Sequence, residues 1–196
     1  MANALIRTCR GLGLLLGLVA APSTSLAHQL DEYLQATLVS IEPTEVQLQI
    51  NLTPGVAIAK QVLGLIDRDG NGVISTNEAR AYSERFKRDL TVRLDRRKVA
   101  LKVASFNFPE PTELRTGWGI IQIEFSATLG SLAVGTHKLT LRNRHLPTLS
   151  VYLFNAAQPK SGSVQISSQK RNRDQSTGEI EFAIALPADS ARRSES

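Results

Sequence analysis

Most of this chain alternates apolar with polar residues, which is the pattern of β-strands that bury one face. In residues 45–52, the apolar Val46, Leu48 and Ile50 alternate with glutamine and asparagine. Because successive side chains of a strand point to opposite faces of a sheet, this segment offers one apolar face to a core. Similar runs predict further strands over residues 33–41, 91–94, 99–106, 118–127, 137–142, 150–154, 163–168 and 179–184. Short strands separated by turn residues predict a mainly β chain, folded as an antiparallel sandwich.

One stretch, residues 55–90, breaks this rhythm. Its apolar residues recur at the three- and four-residue spacing of helices that bury one side. They fall into two groups separated by a polar gap, with Ile58, Val62, Leu63 and Ile66 before the gap and Ala79, Tyr82, Phe86 and Leu90 after it. The spacing predicts a helix, a polar loop and a second helix, inserted between two strands of the sandwich.

The polar gap, residues 67–78, reads DRDGNGVISTNE and is called the acidic loop below. It matches the pattern D-x-[DN]-x-[DN]-G-x5-E at every specified position. Calcium takes about six to eight oxygen ligands, and a short loop supplies them only if alternate residues turn inward. Gly72 permits the sharp turn that this requires. The predicted Ca²⁺ ligands are the side chains of Asp67, Asp69, Asn71, Ser75 and Glu78 and the backbone carbonyl of Val73.

Part of the acidic loop is also explained without a metal. Asn71 and Gly72 are favoured in turns, and Ser75 with Glu78 is a capping box for the second helix. These roles do not account for the carboxylates of Asp67 and Asp69 at their positions before the turn. The complete pattern therefore favours calcium ligation over a plain connection.

Residues 58–86 resemble an EF-hand, and the resemblance implies the same six ligands. It also places Ile74 at the eighth loop position, where EF-hands commonly pair with a second loop through a short β-bridge. No second loop is visible, because residues 172–179 have acidic and glycine residues at the wrong spacing. Ile74 is therefore expected to pair with the β-domain, with another molecule, or with nothing.

A second resemblance covers much of the remaining chain. The segments HQLDEYLQATL, LTPGVA, RNRHLPTLSVYLFNA and GEIEF are similar to exported domains of bacterial proteins, some of which continue into a HupE/UreJ-like membrane half. The resemblance implies an extracytoplasmic location. It also implies a possible role as the accessory domain of an envelope metal transporter.

The first 27 residues read as a secretory signal peptide. Arg7 and Arg10 precede an apolar run over residues 11–21, and the sequence SLA at residues 25–27 is a small-x-small cleavage site. The apolar run is shorter than the roughly 20 residues that a membrane-spanning helix needs. We therefore expect cleavage after Ala27 and a periplasmic or secreted protein.

Cleavage after Ala27 removes Cys9, the only cysteine, and lowers the net charge from +5 to +3. The exported chain then has neither disulfides nor thiolate chemistry, so its stability depends on its core or on a metal. Residues 28–186 form the predicted β-sandwich domain, with the helical insert at 55–90. Residues 187–196 have no apolar periodicity and are predicted to be a disordered tail.

The positive charge is concentrated between residues 80 and 102, which carry a net charge of +6. One interpretation is contact with an anionic envelope surface or an acidic partner. The favoured interpretation is a solvated helix and hairpin, because oppositely charged residues lie four apart on the second helix, as Arg80/Glu84, Glu84/Arg88 and Arg85/Asp89. Nucleic acid is not an expected partner of an exported chain without a recognisable binding motif.

Copper is an alternative metal. Cleavage after Ala27 leaves His28 with a free α-amine, and His137 or His145 could add nitrogen ligands. Scattered histidines are more often hydrogen-bonded or exposed, however, and their spacing here is uninformative. Trp118, the only tryptophan, is expected in the core on the same strand face as Ile120.

No motif of a catalytic nucleophile or of a phosphate-binding loop is present, so we expect the protein not to be an enzyme. The sequence favours an exported, non-enzymatic calcium-binding domain in which Ca²⁺ has a structural or partner-presenting role. A copper or redox protein that uses His28 and an accessory domain of an envelope transporter stay open as alternatives. The sequence leaves the partner and the oligomeric state undetermined.

Overall fold

The computed structural model describes residues 31–185, so the predicted signal peptide, His28 and the predicted tail at 187–196 lie outside the described residues. The prediction of a mainly β chain is confirmed. Residues 31–185 form ten strands and three helices: β1 (Tyr33–Glu42), β2 (Glu45–Pro54), α1 (Ala59–Ile66), α2 (Thr76–Asp89), β3 (Leu90–Leu94), β4 (Arg97–Val99), β5 (Lys102–Asn107), α3 (Pro111–Arg115), β6 (Ile121–Thr128), β7 (Gly135–Asn143), β8 (Ser150–Ala156), β9 (Val164–Arg171) and β10 (Thr177–Ile184).

The strands form two five-stranded sheets. The strand order is β5-β6-β2-β1-β8 in the first sheet and β4-β3-β7-β10-β9 in the second. All the pairings are antiparallel except that of β1 with β8, which is parallel. In this parallel pair, Leu34 is the register partner of Val151, and both lie at one margin of the first sheet.

Side chains from both sheets belong to one cluster of buried apolar residues. In the β1–β2 hairpin, Val39 pairs with Leu48 and Ile41 with Val46, and all four are fully buried. The intervening residues of β2 are polar and more exposed, as the two-residue alternation predicts. Burial of such side chains stabilises the fold by about 25 cal/mol for each Å² of apolar surface removed from water.

The two helices predicted between residues 55 and 90 are present as α1 and α2. Helix α1 buries Val62 and Ile66, and α2 buries Tyr82 and Phe86. The Phe86 ring stacks on the ring of Phe125 in β6, with centroids 6.1 Å apart, so α2 packs against the first sheet. Neither these two helices nor the short α3 has the length and apolar content needed to cross a membrane.

The prediction of one strand over residues 99–106 is wrong. Strand β4 ends at Val99 and belongs to the second sheet, whereas β5 begins at Lys102 and belongs to the first. The chain therefore changes sheets at residues 100 and 101. The alternation of apolar and polar residues continues across this point, because each of the two strands has one inward face. A pattern of period two therefore does not reveal that the chain has changed sheets.

The prediction that Trp118 belongs to the core is also wrong. Its side chain is 86% exposed, and Ile120 is 46% exposed. Both residues precede β6, which begins only at Ile121. The turn that holds them follows α3, a helix that the alternation did not predict. Glu110 and Glu113 form a capping box, and Pro111 occupies the first helical position. These are the local signals for that helix.

Candidate metal centre

The acidic loop connects two helices whose ends are anchored in the core. Helix α1 ends at the buried Ile66, and the Asp67 amide donates to the Leu63 carbonyl oxygen at 2.8 Å. Helix α2 begins after Ser75, which is its N-cap residue. The loop therefore starts and stops at fixed points, and only its middle is free to surround a ligand.

Three carboxylates of the acidic loop converge. One oxygen from each of Asp67, Asp69 and Glu78 lies within 4.8 Å of the other two. Gly70 and Gly72 have φ angles of +69° and +81°, a conformation that residues with a Cβ adopt only at a cost. These two turns reverse the chain so that residues at both ends of the loop face each other.

Asp67 has an oxygen that no protein group satisfies. Its Oδ2 accepts a hydrogen bond from the Gly72 amide at 2.9 Å, whereas its Oδ1 is buried without a hydrogen-bond partner. An unpartnered buried carboxylate oxygen costs free energy, because it has lost its water. A bound cation would remove this cost, so the oxygen donors present fit a hard divalent ion such as Ca²⁺.

Glu78 closes the acidic loop by binding both of its ends. Its Oε1 accepts a hydrogen bond from the Arg68 amide at 2.6 Å, and its Oε2 accepts from the Ser75 amide at 3.0 Å and the Ser75 hydroxyl at 2.8 Å. The hydrogen bonds from the Ser75 amide and hydroxyl, followed by that from Arg68, lower the pKa of Glu78 to about 2. The side chain is therefore a carboxylate at any physiological pH.

The other predicted ligands occupy the same loop. Asn71 donates from its side-chain amide to Asp69 Oδ2 at 2.8 Å, and its Oδ1 accepts from the Val73 amide at 2.8 Å. The Val73 side chain points outward and is 59% exposed. Ser75 is engaged with Glu78 in the capping box. The structure thus brings Asp67, Asp69 and Glu78 together, and it places Asn71 and Ser75 as hydrogen-bond partners of two of these carboxylates.

Ile74, at the eighth loop position, forms no β-bridge within residues 31–185. Its side chain is partly buried and packs against the apolar core. Of the three expected outcomes, the structure therefore favours a contact with the rest of the domain, made through side-chain packing. This contact anchors the second half of the acidic loop.

A buried polar chain connects α2 to the sheets. The Tyr33 and Tyr82 hydroxyls lie 2.8 Å apart, the Tyr82 hydroxyl lies 2.9 Å from His145 Nε2, and His145 Nδ1 lies 2.7 Å from Asp89 Oδ2. A neutral His145 that donates from Nδ1 to Asp89 satisfies every member, because Tyr82 then donates to Nε2 and Tyr33 donates to Tyr82. Burial raises the pKa of both tyrosines and lowers the pKa of His145.

This chain of hydrogen bonds has no counterpart among the features predicted from the sequence. The spacing predicts Tyr82 as an apolar core residue. For His145 the favoured interpretation is a hydrogen-bonded or exposed side chain, with copper ligation as the alternative. The four groups are separated by up to 112 positions in the sequence, so only the tertiary structure reveals their contact. A polar residue at an inward strand position was the available local signal, as at the buried Gln35, whose side-chain amide donates to the His145 carbonyl oxygen.

The second described histidine has a different environment. His137 lies 2.7 Å from Asp95 through Nδ1 and 2.8 Å from the Ala133 carbonyl oxygen through Nε2. These two hydrogen bonds, the one to Ala133 first, raise the pKa of His137. Within residues 31–185, the acidic loop holds the only group of three or more carboxylate, histidine or cysteine ligands placed to bind one metal, and it includes no histidine.

The predicted ion pairs four residues apart on α2 are wrong. Within residues 31–185, the one ion pair along this helix joins Lys87 to Glu84, three residues apart. The Arg80 guanidinium instead lies over the Phe106 ring, 5.4 Å from its centroid, and Asp89 accepts from His145. Tertiary contacts thus engage two of the charged groups that were expected to pair along the helix, Arg80 and Asp89.

Comparison with models of protein families and with curated proteins found no match to this chain. The chemistry of the centre therefore rests on its own residues. These are three converging carboxylates, an unpartnered buried oxygen of Asp67, and a loop fixed at both ends by anchored helices.

Proposed function

We propose that this protein is an exported, non-enzymatic calcium-binding domain, in which an EF-hand loop is carried by a β-sandwich. The acidic loop would hold Ca²⁺ through Asp67, Asp69, Asn71, Val73, Ser75 and Glu78. The observation that carries the proposal is the buried Asp67 Oδ1, which has no protein partner and lies among converging carboxylates. The two sheets, which share one apolar core, would be the layers of the sandwich.

The donor set favours calcium over other divalent metals. It consists of oxygen atoms, whereas copper and zinc sites usually include imidazole or thiolate ligands. Magnesium needs nearly octahedral geometry and keeps several waters, which a loop that offers many oxygen ligands does not favour. Three carboxylates would supply a charge of −3 against the +2 of the ion, and the neutral amide of Asn71 limits their mutual repulsion.

Calcium would act on the relative position of α1 and α2. Asp67 follows the last turn of α1, and Glu78 lies in the first turn of α2, so an ion held by both would fix one helix end against the other. Helix α2 packs on the sheets and α1 packs on α2 and α3, so their outer surfaces would then have one defined arrangement. The proposed role of the ion is structural. By fixing the two helices, it would give the protein a defined surface to which a partner could bind.

The affinity should lie in the weak range of extracellular calcium modules, at a Kd of roughly 10⁻⁴ to 10⁻³ M. A single loop without a paired second loop and a neighbouring segment of charge +6 both favour weak binding. If only the folded state binds, calcium at a hundredfold excess over Kd stabilises the protein by about 2.7 kcal/mol.

Titration calorimetry of the protein with calcium chloride tests the proposal, with magnesium chloride as the matched control. We expect one site per chain for calcium and markedly weaker binding of magnesium. Thermal unfolding at millimolar calcium should show a higher Tm than unfolding with a chelator. The proposed function would be refuted if calcium addition released or absorbed no heat of binding and the Tm was the same with calcium as with a chelator.

A further inference from the structure

Four cations cluster on the outer side of the second sheet. Arg93 lies on β3, Lys98 on β4 and Arg142 on β7, while Arg96 is in the turn between β3 and β4. All four residues are exposed. Within residues 31–185, none of them belongs to an ion pair. We call these four residues the second-sheet basic patch.

Strand pairing brings three of the cations side by side. Lys98 is the register partner of Arg93, and Arg142 lies two residues beyond Thr140, the partner of Arg93 on β7. Directly opposite side chains have Cβ atoms about 4.5–5.5 Å apart, and diagonal neighbours lie about 7–8 Å apart. The residues on either side of Arg93 and of Arg142 along their strands are buried, so both side chains face away from the core.

This arrangement opposes two local preferences of the chain. Like charges directly opposite each other on neighbouring strands are destabilising, and Arg93 and Lys98 form such a pair. In the turn, Asp95 and Arg96 have φ angles of +47° and +69°. Turns of this kind favour glycine at the second central position, which Arg96 occupies here. Both features disfavour the fold and both place a cation in the patch, which is typical of residues retained for binding.

The carboxylates that border the patch are engaged by other groups. Asp95 accepts from the Lys138 amide at 2.9 Å through Oδ1, and its Oδ2 lies 2.7 Å from His137 Nδ1. Glu179 and Glu181 on β10 lie 2.8 and 3.3 Å from the Lys138 ammonium group. The charges of these three acids are therefore directed toward His137 and Lys138, and the cations of the patch stay available to a ligand.

The guanidinium groups give the patch its chemistry. Arg93 Nη1 donates to the Arg96 carbonyl oxygen at 3.0 Å, which uses only one of the five N–H donors of Arg93. Arg93 lines a shallow depression of about 610 Å³ together with Asp95, Arg96, Lys138 and Thr140. A guanidinium can donate two parallel hydrogen bonds to the oxygens of one phosphate group. The patch therefore fits phosphate groups.

The width of the patch favours a surface that carries many phosphates. Strands β4 and β7 are separated by β3, so they lie about 10 Å apart. A flat array of this width fits several phosphates in one plane better than a single small anion. An acidic protein fits less well, because protein interfaces usually have an apolar core, whereas the outward residues beside the cations are Thr91 and Thr140.

We propose that the second-sheet basic patch binds the surface of a bilayer that contains anionic phospholipids. The headgroup phosphates accept hydrogen bonds from Arg93, Arg96 and Arg142, and Lys98 adds a fourth positive charge. Each cation near such a surface strengthens binding about fivefold. Binding of the bilayer does not require calcium, so a chelator is present throughout the test, and the result is independent of the acidic loop.

Sedimentation with lipid vesicles tests this binding. The chain that begins at His28, the expected exported form, keeps all of residues 31–185 and lacks the apolar run at 11–21, which would enter bilayers of any charge. Vesicles of phosphatidylcholine mixed with phosphatidylglycerol are compared, at low salt, with vesicles of phosphatidylcholine alone. The double variant Lys98→Gln/Arg142→Gln removes two cations of the patch and no ion pair within the described residues.

The double variant Lys102→Gln/Lys160→Gln is the matched control, because it removes the same charge from the outer side of the first sheet. Lys102 is the register partner of Ser126, and Ser126 and Lys160 line one depression on that side. We expect the wild type and this control to bind the vesicles with phosphatidylglycerol almost equally, and neither to bind phosphatidylcholine alone. Lys98→Gln/Arg142→Gln should bind about 25-fold more weakly than the wild type. Added salt should weaken the binding, because it screens exposed charges.

Three results would overturn this assignment. One is equal binding, or no binding, to the two kinds of vesicle. Another is an equal loss of binding in the two double variants, because net charge alone would then explain it. The third is release from the vesicles by inorganic phosphate at constant ionic strength, which would indicate a site for a single small anion. Urea unfolding shows that each variant is folded, and Lys98→Gln/Arg142→Gln should be at least as stable as the wild type, because it relieves the repulsion between Arg93 and Lys98.

Discussion

The Tyr82 hydroxyl lies 2.8 Å from the Tyr33 hydroxyl, which joins α2 to β1 inside the core. Tyr82 is one turn beyond Glu78 on α2, so the helix that closes the acidic loop is also bound to the first sheet by a polar contact. His145 and Asp89 extend this contact to the other end of α2. The position of the candidate metal centre relative to the sheets is thus set by a few buried hydrogen bonds as well as by apolar packing.

Replacing Tyr82 by Phe should destabilise the protein by about 1–3 kcal/mol. The change removes the acceptor of the Tyr33 hydroxyl and the donor to His145 Nε2, and leaves both groups buried without a partner. Tyr33→Phe is the matched control, because Tyr82 can then still donate to His145. Urea unfolding should therefore show a clearly larger loss for Tyr82→Phe, and equal losses would contradict the donor assignment.

The Glu78→Gln variant should separate calcium affinity from helix capping. Glutamine can keep the hydrogen bond from the Ser75 amide but not also the one from the Arg68 amide, because it has a single acceptor oxygen, so stability in the presence of a chelator should fall modestly. The loss of charge and of a second oxygen ligand should weaken calcium binding at least about tenfold. Arg68→Gln changes a charge in the same loop without touching a ligand and should bind calcium as tightly as the wild type or slightly more tightly. Calorimetry that gives equal affinities for Glu78→Gln and the wild type would exclude Glu78 as a ligand.

The Ser75→Ala variant should show the opposite behaviour. The Ser75 hydroxyl accepts from the Glu78 amide at 3.3 Å and donates to the Glu78 carboxylate, so its removal should cost about 1 kcal/mol of stability without calcium. Calcium affinity should fall less than in Glu78→Gln, because the ninth loop position often binds through water. Thermal unfolding with a chelator and titration with calcium measure the two effects separately. A loss of affinity as large as that of Glu78→Gln would show that Ser75 binds the ion directly.

His137 should contribute stability that is lost as the pH rises. Hydrogen bonds to Ala133 and Asp95 raise the pKa of His137 above its ordinary value of 6.5, so the folded state holds this proton more tightly than the unfolded state. Its contribution is complete below about pH 6.5 and disappears as the pH passes through the higher pKa of the folded state. The difference in unfolding free energy between the wild type and His137→Gln should therefore shrink from pH 6 to pH 8.5.

His145 has the opposite sign, because burial lowers its pKa in the folded state. Protonation of the unfolded state below about pH 6.5 therefore reduces stability as the pH falls. This contribution is the same in the wild type and in His137→Gln, so it cancels in their difference. Urea unfolding at several pH values measures that difference, and a value independent of pH would contradict the raised pKa of His137.

Much of the strand pattern could be predicted, because a strand that buries one face has alternating apolar and polar residues. Residues 33–41 and 45–52 were predicted as strands and lie within β1 and β2, and the helical spacing over residues 55–90 corresponds to α1 and α2. The acidic loop could also be predicted, because all of its candidate ligands lie within twelve consecutive residues. A short segment of sequence is sufficient to predict a feature when all the interacting groups lie within that segment.

The errors share one physical cause, which is that a side chain's environment depends on distant segments. Trp118 begins the strand predicted over residues 118–127, yet a turn closed by Gly119 holds it out of the core. Arg80 and Asp89 have suitable partners four residues away, yet they contact Phe106 and His145. In each case a contact formed by folding replaces the one that the spacing favoured.

The mainly β class, the two helices and the acidic loop follow from local sequence, since they depend on periodicity and on candidate ligands within one short segment. The division of the strands between two sheets, the hydrogen-bonded path from Tyr33 to Asp89 and the exposed position of Trp118 are visible only in the folded chain. These features arise from contacts between residues far apart in the chain. Their formation depends on how the strands pair, and a pattern of alternating residues leaves that choice open.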